Sequence, residues 1–454
     1  MRSRAQAMGQ APIWKLLVRF SGPAIVSMVV AASYTIVDAI FVGRLGPEAL
    51  GALAVVFPMM LIYMSVSMGT GVGAASLISR RLGAGDHEGA NRVACVAITL
   101  AIMIGALLAV IYLVNIEGML RLFGASDPVM LPAKRYMSIL ATFAFLHSSA
   151  LIIGNIVRAE GSPLLSGGAM VVSAVTNIIL DPILIFGLGP IPHMGIAGAA
   201  IATVIGNGVG GSIFLVYFIS GKTSYRFSPR YFLPNLKILG EIYRVGVASI
   251  VRMGAMAVVM ALANTIAASF GVIPLAVLGV VFRLARFAFM PTMGLGQGML
   301  PLVGFNFGAK QIERVGEVVI KAGSVCLVWG LFCWLVFMLF PAQVISAFNA
   351  NPQFLAEGTR TLRIFVLFFF AVQLQIIAGF FFQGIGKGVP SLVVASARQF
   401  IFLIPGLFIF PRLFGLTGVW IAFPVADALS ILLTLIWTSV EFRRQGIRFR
   451  LQYG

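Results

Sequence analysis

The chain is poor in charged residues and in residues that hold metals or form disulfides. Only 10% of its 454 residues are charged, whereas soluble globular proteins have roughly 25%. Its three cysteines lie within apolar stretches and its three histidines are scattered, so the sequence predicts neither a disulfide framework nor a zinc site. A soluble fold could not cover its surface with so few charges, which excludes an ordinary soluble protein.

Acidic residues are the scarcer of the two charged classes. There are 14 aspartates and glutamates against 32 lysines and arginines, which gives a net charge of +18. In a soluble protein this excess would suggest nucleic-acid binding. In a membrane protein, lysine and arginine instead gather in the loops of one side. We therefore expect membrane lipids, and no nucleic acid, as partners.

Long apolar stretches are abundant, because 60% of the residues are hydrophobic and the mean hydropathy is +1.02. A membrane-spanning helix needs about 20 mostly apolar residues. We predict an all-α integral membrane protein with about twelve spans, at residues 20–42, 50–78, 93–115, 136–157, 164–187, 196–220, 246–268, 276–305, 322–342, 364–384, 391–411 and 416–438.

The distribution of basic residues predicts the orientation of these spans. With the N-terminus inside, 21 lysines and arginines fall on the inner side and 7 on the outer side. This bias places both termini in the cytoplasm, and we expect a multi-pass protein of the plasma (inner) membrane. Four arginines remain within spans, namely Arg252, Arg283, Arg286 and Arg398.

The sequence repeats itself about a polar segment at residues 221–244. At a shift of 225, Gly69 matches Gly294, and Gly83 matches Gly308. Near the end of each half the shift is 220, where the glycines at 195 and 198 match those at 415 and 418. We predict two parallel six-helix repeats around a central cavity, at 1–220 and 246–454, joined by a cytoplasmic linker at 221–245.

Three acids lie well inside spans, at Asp38, Asp181 and Asp427. A charge at the bilayer centre costs about 2.5–3.5 kcal/mol on insertion scales, so such residues usually face a cavity or a partner. Tyr34 precedes Asp38 by one helical turn, and Asn177 precedes Asp181 in the same way. If spans one and five adjoin, these groups form one polar pocket, with Thr203 and Asn207 of span six beside it.

Two carboxylates close together in a low dielectric cannot both stay charged cheaply. One of them holds a proton, or a sodium ion at Asp38, Asn177 and Asp181 neutralises them. The alternative is that each acid only packs helices together, and we favour that role for Asp427, paired with Arg398 or Arg283. Pro23 is either a hinge of span one or a static kink. The second half offers cavity-lining candidates that could equally be packing residues, at Met256, Arg283, Met290 and Gln373.

Several motifs follow one another in a specific order along the chain: Ser21-Gly22-Pro23, Val37-Asp38, Gly83-Ala84-Gly85-Asp86, Arg158-Ala159-Glu160-Gly161, Asn177 to Pro182, and Gly294-Leu295-Gly296-Gln297. Together they resemble the multidrug and toxic compound extrusion (MATE) family of cation-coupled efflux transporters, over nearly the whole chain. The resemblance implies export of organic, often cationic amphipathic compounds, driven by inward sodium or proton flow. It implies the same ion-coupling role for Asp38, Asn177 and Asp181. Some subgroups also carry acids in spans seven and ten, which this chain lacks.

Two other functions compete with the exporter. A flippase for lipid-linked precursors would line its cavity with basic residues, and Arg252, Arg283 and Arg286 keep that alternative open. An enzyme has the weakest support, because the sequence has no paired histidines, no nucleophile motif and no nucleotide-binding loop. We expect a monomer that needs no cofactor beyond its coupling ion and takes small organic molecules as substrates.

Overall fold

The computed structural model describes residues 2–349 and 351–447, and every regular element within these ranges is helical. A short 3-10 turn at Pro229–Tyr231 lies in the connection between the halves. The first half contains α1 (Arg2–Gln10), α2 (Ile13–Gly43), α3 (Pro47–Gly83), α4 (His87–Val114), α5 (Ile116–Leu122), α6 (Asp127–Thr142), α7 (Ala144–Ala159), α8 (Pro163–Phe186) and α9 (Ile196–Ile219). The second contains α10 (Leu236–Ser269), α11 (Val272–Gly308), α12 (Ile312–Leu339), α13 (Pro341–Ser346), α14 (Pro352–Phe365), α15 (Phe369–Gly384), α16 (Gly388–Ser396), a π-helical segment (Ala397–Leu403) and α17 (Ile404–Gln445).

The predicted multi-pass helical architecture is confirmed. Within the described ranges, nine helical runs are long and apolar enough to cross a membrane, and two bent helix pairs raise this to eleven. The run from 388 to 445 contains a break at Gly415, where φ is 57° and ψ is −141°. Gly418 packs directly on the backbone of Phe410. In one straight helix these residues would lie about 12 Å apart, so the run folds back as two spans.

The helices extend beyond the predicted spans because hydropathy detects only their apolar middle. Span seven begins at Leu236 rather than at residue 246, and span eight covers Val272–Gly308 rather than 276–305. The predicted continuous spans four and ten are bent pairs, α6 with α7 at 54° and α14 with α15 at 49°. Each pair breaks at a matching position of the repeat, near Phe143 and Phe368.

The two halves meet through glycines that are related by the repeat. A Cβ atom on Gly83 would lie 1.9 Å from the carbonyl oxygen of Phe305, and one on Gly308 would lie 2.0 Å from that of Arg80. These two contacts exchange places under the 225-residue shift. Small residues let helix backbones approach this closely in membranes, so the repeat detected in the sequence corresponds to a pseudo-twofold interface.

Further bonds between the halves lie in the part of the bundle nearest the linker, which we call the linker end. Arg81 pairs with Glu241 at 3.2 Å, and Thr70 and Tyr243 share a hydrogen bond of 3.1 Å. A shared apolar cluster that includes Val72 and Val303 packs beside them. The structure is therefore a state in which the halves are joined at the linker end.

Candidate ion and substrate site

The two acids of the first half lie on adjoining helices, as the pocket hypothesis requires. The backbone of Pro23 in α2 contacts Gly167 in α8 closely enough that a Cβ on the glycine would be 2.8 Å from the Pro23 carbonyl. Asp38 is 9% exposed on α2, and Asp181 is fully buried on α8. The charge of Asp38 acts on Asp181. Two buried carboxyl groups thus lie on adjoining helices of the first half.

Asn177 organises this carboxyl pocket. Its Nδ2 atom donates to Asp181 Oδ1 at 3.3 Å and to Thr203 Oγ1 at 3.2 Å, which connects α8 with α9. Among the described residues, no hydrogen-bond partner is found for three buried oxygens: Asp38 Oδ1, Asp181 Oδ2 and Asn177 Oδ1. Buried polar atoms are normally satisfied, so these oxygens are available to a proton or to a cation that prefers oxygen donors.

Two tyrosines border the pocket. Tyr34 is partly buried on α2, and the charges of Asp38 and Asp181 both act on it. Tyr136 of α6 is 4% exposed and lies next to Thr203. The charges of Asp38 and Asp181 act on it as well. Tyr136 gives no comparable signal in the sequence, because it lies in the amino-terminal arm of a bent span and has no acid one helical turn away.

Asn207 lies one turn beyond Thr203 and faces a small cavity inside the first half. The cavity has a volume of about 30 Å³ and is lined by Thr203, Asn207, Tyr63 and His147 among others. Asn207 Oδ1 accepts a hydrogen bond from Ser173 at 3.4 Å. This volume suffices for about one or two water molecules, so the cavity extends the polar region but cannot hold an organic substrate.

The second-half candidates differ in exposure. Met256 of α10 is 53% exposed, Arg283 of α11 is exposed, and Met290 is partly buried. Gln373 lies in the core of the second half, where its Oε1 accepts from Thr292 at 2.6 Å. Their positions distinguish Gln373, which packs between helices, from the more accessible Met256 and Arg283.

Asp427 pairs with Arg398 and not with Arg283. Arg398 Nε lies 2.5 Å from Asp427 Oδ1, and both side chains are largely buried. Arg398 belongs to the π-helical segment at 397–403, and such segments locally widen a helix. The pair ties that segment to α17, which agrees with the packing role favoured from the sequence.

A buried arginine that the sequence analysis placed in a loop joins the two halves. Arg158, at the end of α7, is 4% exposed. It donates from Nη1 to Gln297 Oε1 of α11 at 2.6 Å and from Nη2 to Ser166 Oγ at 3.2 Å. No sequence feature indicated this contact, because Gln297 lies 139 residues further along the chain.

The fold and the site together define a class of protein. Two repeated helical bundles cross the membrane, they meet at one end through close glycine contacts, and the first of them holds two buried acids on adjoining helices. This is the architecture of a transporter that works by alternating access between its halves.

The chain belongs to the MatE family of efflux transporters. The family matches residues 23–183 and again residues 248–409. The two matches begin 225 residues apart, which is the repeat shift found in the sequence.

Individual relatives agree with this assignment. Over 430 residues the chain is 27% identical to the multidrug export protein MepA of Staphylococcus haemolyticus, with 94% of this chain and 93% of MepA covered. It matches the outward-facing conformation of a multidrug resistance MATE family transporter of the MOP superfamily, with a TM-score of 0.91 and 28% identity over 97% of this chain and 98% of that one.

A second solved structure is similar to the same degree. It is a MOP superfamily transporter from Pyrococcus furiosus, whose description reports a binding pocket of reverse polarity that suggests a different function. The TM-score is 0.91 and the identity 27%, over 98% of this chain and 99% of that chain.

Proposed function

We propose that this protein is an antiporter that exports organic compounds and is driven by inward flow of protons or sodium through the carboxyl pocket. The observation that carries the proposal is the pair of buried acids, Asp38 and Asp181, with buried oxygens that lack partners among the described residues. Burying two carboxylate charges without a neutralising partner costs several kcal/mol of desolvation free energy. Binding a cation or a proton relieves that cost.

The pocket residues fit either coupling ion. Carboxylate and amide oxygens are the donors that hard cations prefer, and Asp38, Asn177 and Asp181 would supply them to sodium. The same carboxyl groups would hold a proton, with Tyr34 and Thr203 as hydrogen-bonding neighbours. The ion relieves repulsion between the acids, which lets α2 and α8 pack more closely around it.

The coupling follows from differential affinity. A ligand shifts a two-state equilibrium only by the difference in its affinity for the two states. An ion that binds more tightly to the substrate-releasing state therefore drives release, and its gradient drives export. Pro23 interrupts the hydrogen bonding of α2 at its contact with α8, and we propose it as the hinge through which occupancy of the pocket alters that helix.

We further propose that the linker end faces the cytoplasm in the plasma (inner) membrane, which makes this state outward-facing. The basic-residue bias supports that orientation. Membership of the family of multidrug exporters supports an exporter over the flippase alternative. The sign of the substrate's charge is a separate question, since a close structural neighbour is described with a pocket of reverse polarity.

Transport in proteoliposomes with separately imposed gradients tests this function. We expect uptake of a substrate dye against an opposing gradient of either sodium or protons, and none when both gradients are dissipated. Equal transport with and without every ion gradient would contradict the proposal and indicate a passive pathway.

A further inference from the structure

Three arginines of the second half lie within membrane-spanning helices and lack an acidic partner. They are Arg252 on α10 and Arg283 and Arg286 on α11. No hydrogen bond or ion pair is found for any of them within residues 2–349 and 351–447. A charge within a membrane-spanning helix is costly, and by default it marks a functional site whose partner should be named.

The acids of the second half do not supply that partner. Asp427, the one acid of this half within the spans predicted from the sequence, is paired with Arg398 at 2.5 Å. Glu357 accepts hydrogen bonds from Trp420 and Thr361. The remaining four, Glu241, Glu313, Glu317 and Glu441, lie on the parts of their helices nearest the linker end. No acid of the first half within the described residues forms an ion pair with these arginines either. A negative charge that pairs with them would therefore come from a bound molecule.

Two of these arginines contact aromatic rings. The guanidinium of Arg286 lies 5.8 Å from the ring centre of Phe57, and that of Arg252 lies 5.5 Å from the ring centre of Phe380. Such contacts contribute about 0.5–2 kcal/mol, but they do not satisfy the five N–H donors of a guanidinium. Phe57 belongs to α3 of the first half, so Arg286 lies where the two halves face each other.

Arg283 and Arg286 are suited to act together. They are three residues apart on α11, which places them on neighbouring positions of one helix face, and both side chains are exposed. Arg252 is partly buried and stacks on a ring of its own half. The accessible pair on α11 thus presents two planar guanidinium groups, each of which can bind a carboxylate or a phosphate through two hydrogen bonds at once.

We propose that Arg283 and Arg286 bind an acidic group of the exported compound, so that the substrate is an anion or a zwitterion rather than a simple cation. This inference rests on the proposed function, since it names the substrate class of the exporter. In this proposal the two halves bind groups of opposite charge. The carboxyl pocket of the first half takes the coupling cation, and the arginine pair of the second half takes the substrate's acid.

The test compares two dyes that share a xanthene core and differ in charge: carboxyfluorescein, an anion, and tetramethylrhodamine methyl ester, a cation. Binding to the full-length protein is measured by fluorescence anisotropy in an uncharged detergent without any ion gradient. We expect R283Q and R286Q each to weaken carboxyfluorescein binding by about tenfold to a hundredfold, as loss of a charged hydrogen bond does. Binding of the cationic dye should not weaken.

R444Q is the matched control, because Arg444 is an exposed arginine in the last turn of α17, near the linker end and away from the middle of α11. It should leave both affinities unchanged, whereas R286K, which keeps the charge but loses the fork, should bind the anion with intermediate affinity. If R286Q fails to fold, R283Q and R286K decide the question. Unchanged carboxyfluorescein affinity in the arginine variants, or no binding of this dye by the wild type, would overturn the proposal.

Competition identifies the source of the acid. Displacement of carboxyfluorescein by benzoate would support the site and indicate soluble organic acids. Displacement by geranyl pyrophosphate alone would support it and indicate lipid-linked diphosphates. Displacement by neither would contradict an anion site. Because no gradient is used, Asp38→Asn should retain this binding, so a failure of ion coupling and a failure of anion recognition remain distinguishable.

Discussion

The close contact between Gly83 and Phe305 predicts that a single methyl group will open the linker end. In Gly83→Ala the new Cβ would lie 1.9 Å from a backbone oxygen, whereas ordinary contact begins near 3.4 Å. A backbone oxygen cannot rotate away as a side chain can, so the halves must separate. Overpacking of this kind typically costs about 1–3 kcal/mol. That cost should lower the ratio of linker-closed to linker-open states by about 5-fold to 150-fold.

The assay is a distance measurement between spin labels at His87 and Lys310. Both residues are exposed, lie at the linker end and belong to opposite halves. In Gly83→Ala the distance distribution should shift to longer values, and Gly308→Ala should produce the same shift because the repeat makes its contact equivalent. Gly22→Ala is the control, since its Cβ would meet nothing within 4 Å.

An unchanged distribution in both Gly83→Ala and Gly308→Ala, equal to that of Gly22→Ala, would refute the reasoning. It would mean that the glycine contacts are not what limits opening of the linker end. The double variant should exceed either single variant, although not additively, because the two sites share one interface.

Three further predictions concern the interface, the buried ion pair and the topology. A disulfide between S79C and G304C should stop turnover reversibly, because a Gly304 Cβ would lie 2.9 Å from that of Ser79; full transport in the crosslinked protein would contradict rocking halves. Asp427→Asn should lower the free energy of unfolding by about 3–5 kcal/mol, because Arg398 loses its buried partner. An unchanged melting temperature in detergent would contradict a stabilising role for this ion pair. Single cysteines at 222–235 should react only from the cytoplasm, and the buried native cysteines give little background; labelling from outside would reverse the orientation.

The sequence predicted the helical class and the repeat because each depends on local or periodic signals. Apolar stretches define spans, a constant shift relates the glycines, and one helical turn separates Asn177 from Asp181. The hydrogen bond between these two residues agrees with that spacing. The two halves also share a local backbone conformation. Gly195 and Gly415, which match at the shift of 220, have nearly equal φ values of 56° and 57°.

The features that sequence reasoning missed depend on contacts between distant segments. The link from Arg158 to Gln297 crosses from one half to the other, and Tyr136 reaches the carboxyl pocket only because span four bends between α6 and α7. Hydropathy does not detect that bend, because both arms are apolar. For Asp427 the sequence named both Arg398 and Arg283 as candidate partners, and the ion pair with Arg398 decides between them.

The most direct test of the account is the transport activity of Asp38→Asn under an imposed ion gradient. The change removes the charge of a buried acid with almost no change in shape, and a neutral residue is cheaper to bury, so the protein should insert and fold normally. We expect gradient-driven export to be abolished while substrate binding persists and no longer responds to sodium or pH. Asp127→Asn, which changes an exposed acid of the same half, should export at the wild-type rate. Normal gradient-driven export by Asp38→Asn would contradict the account and place the coupling site elsewhere.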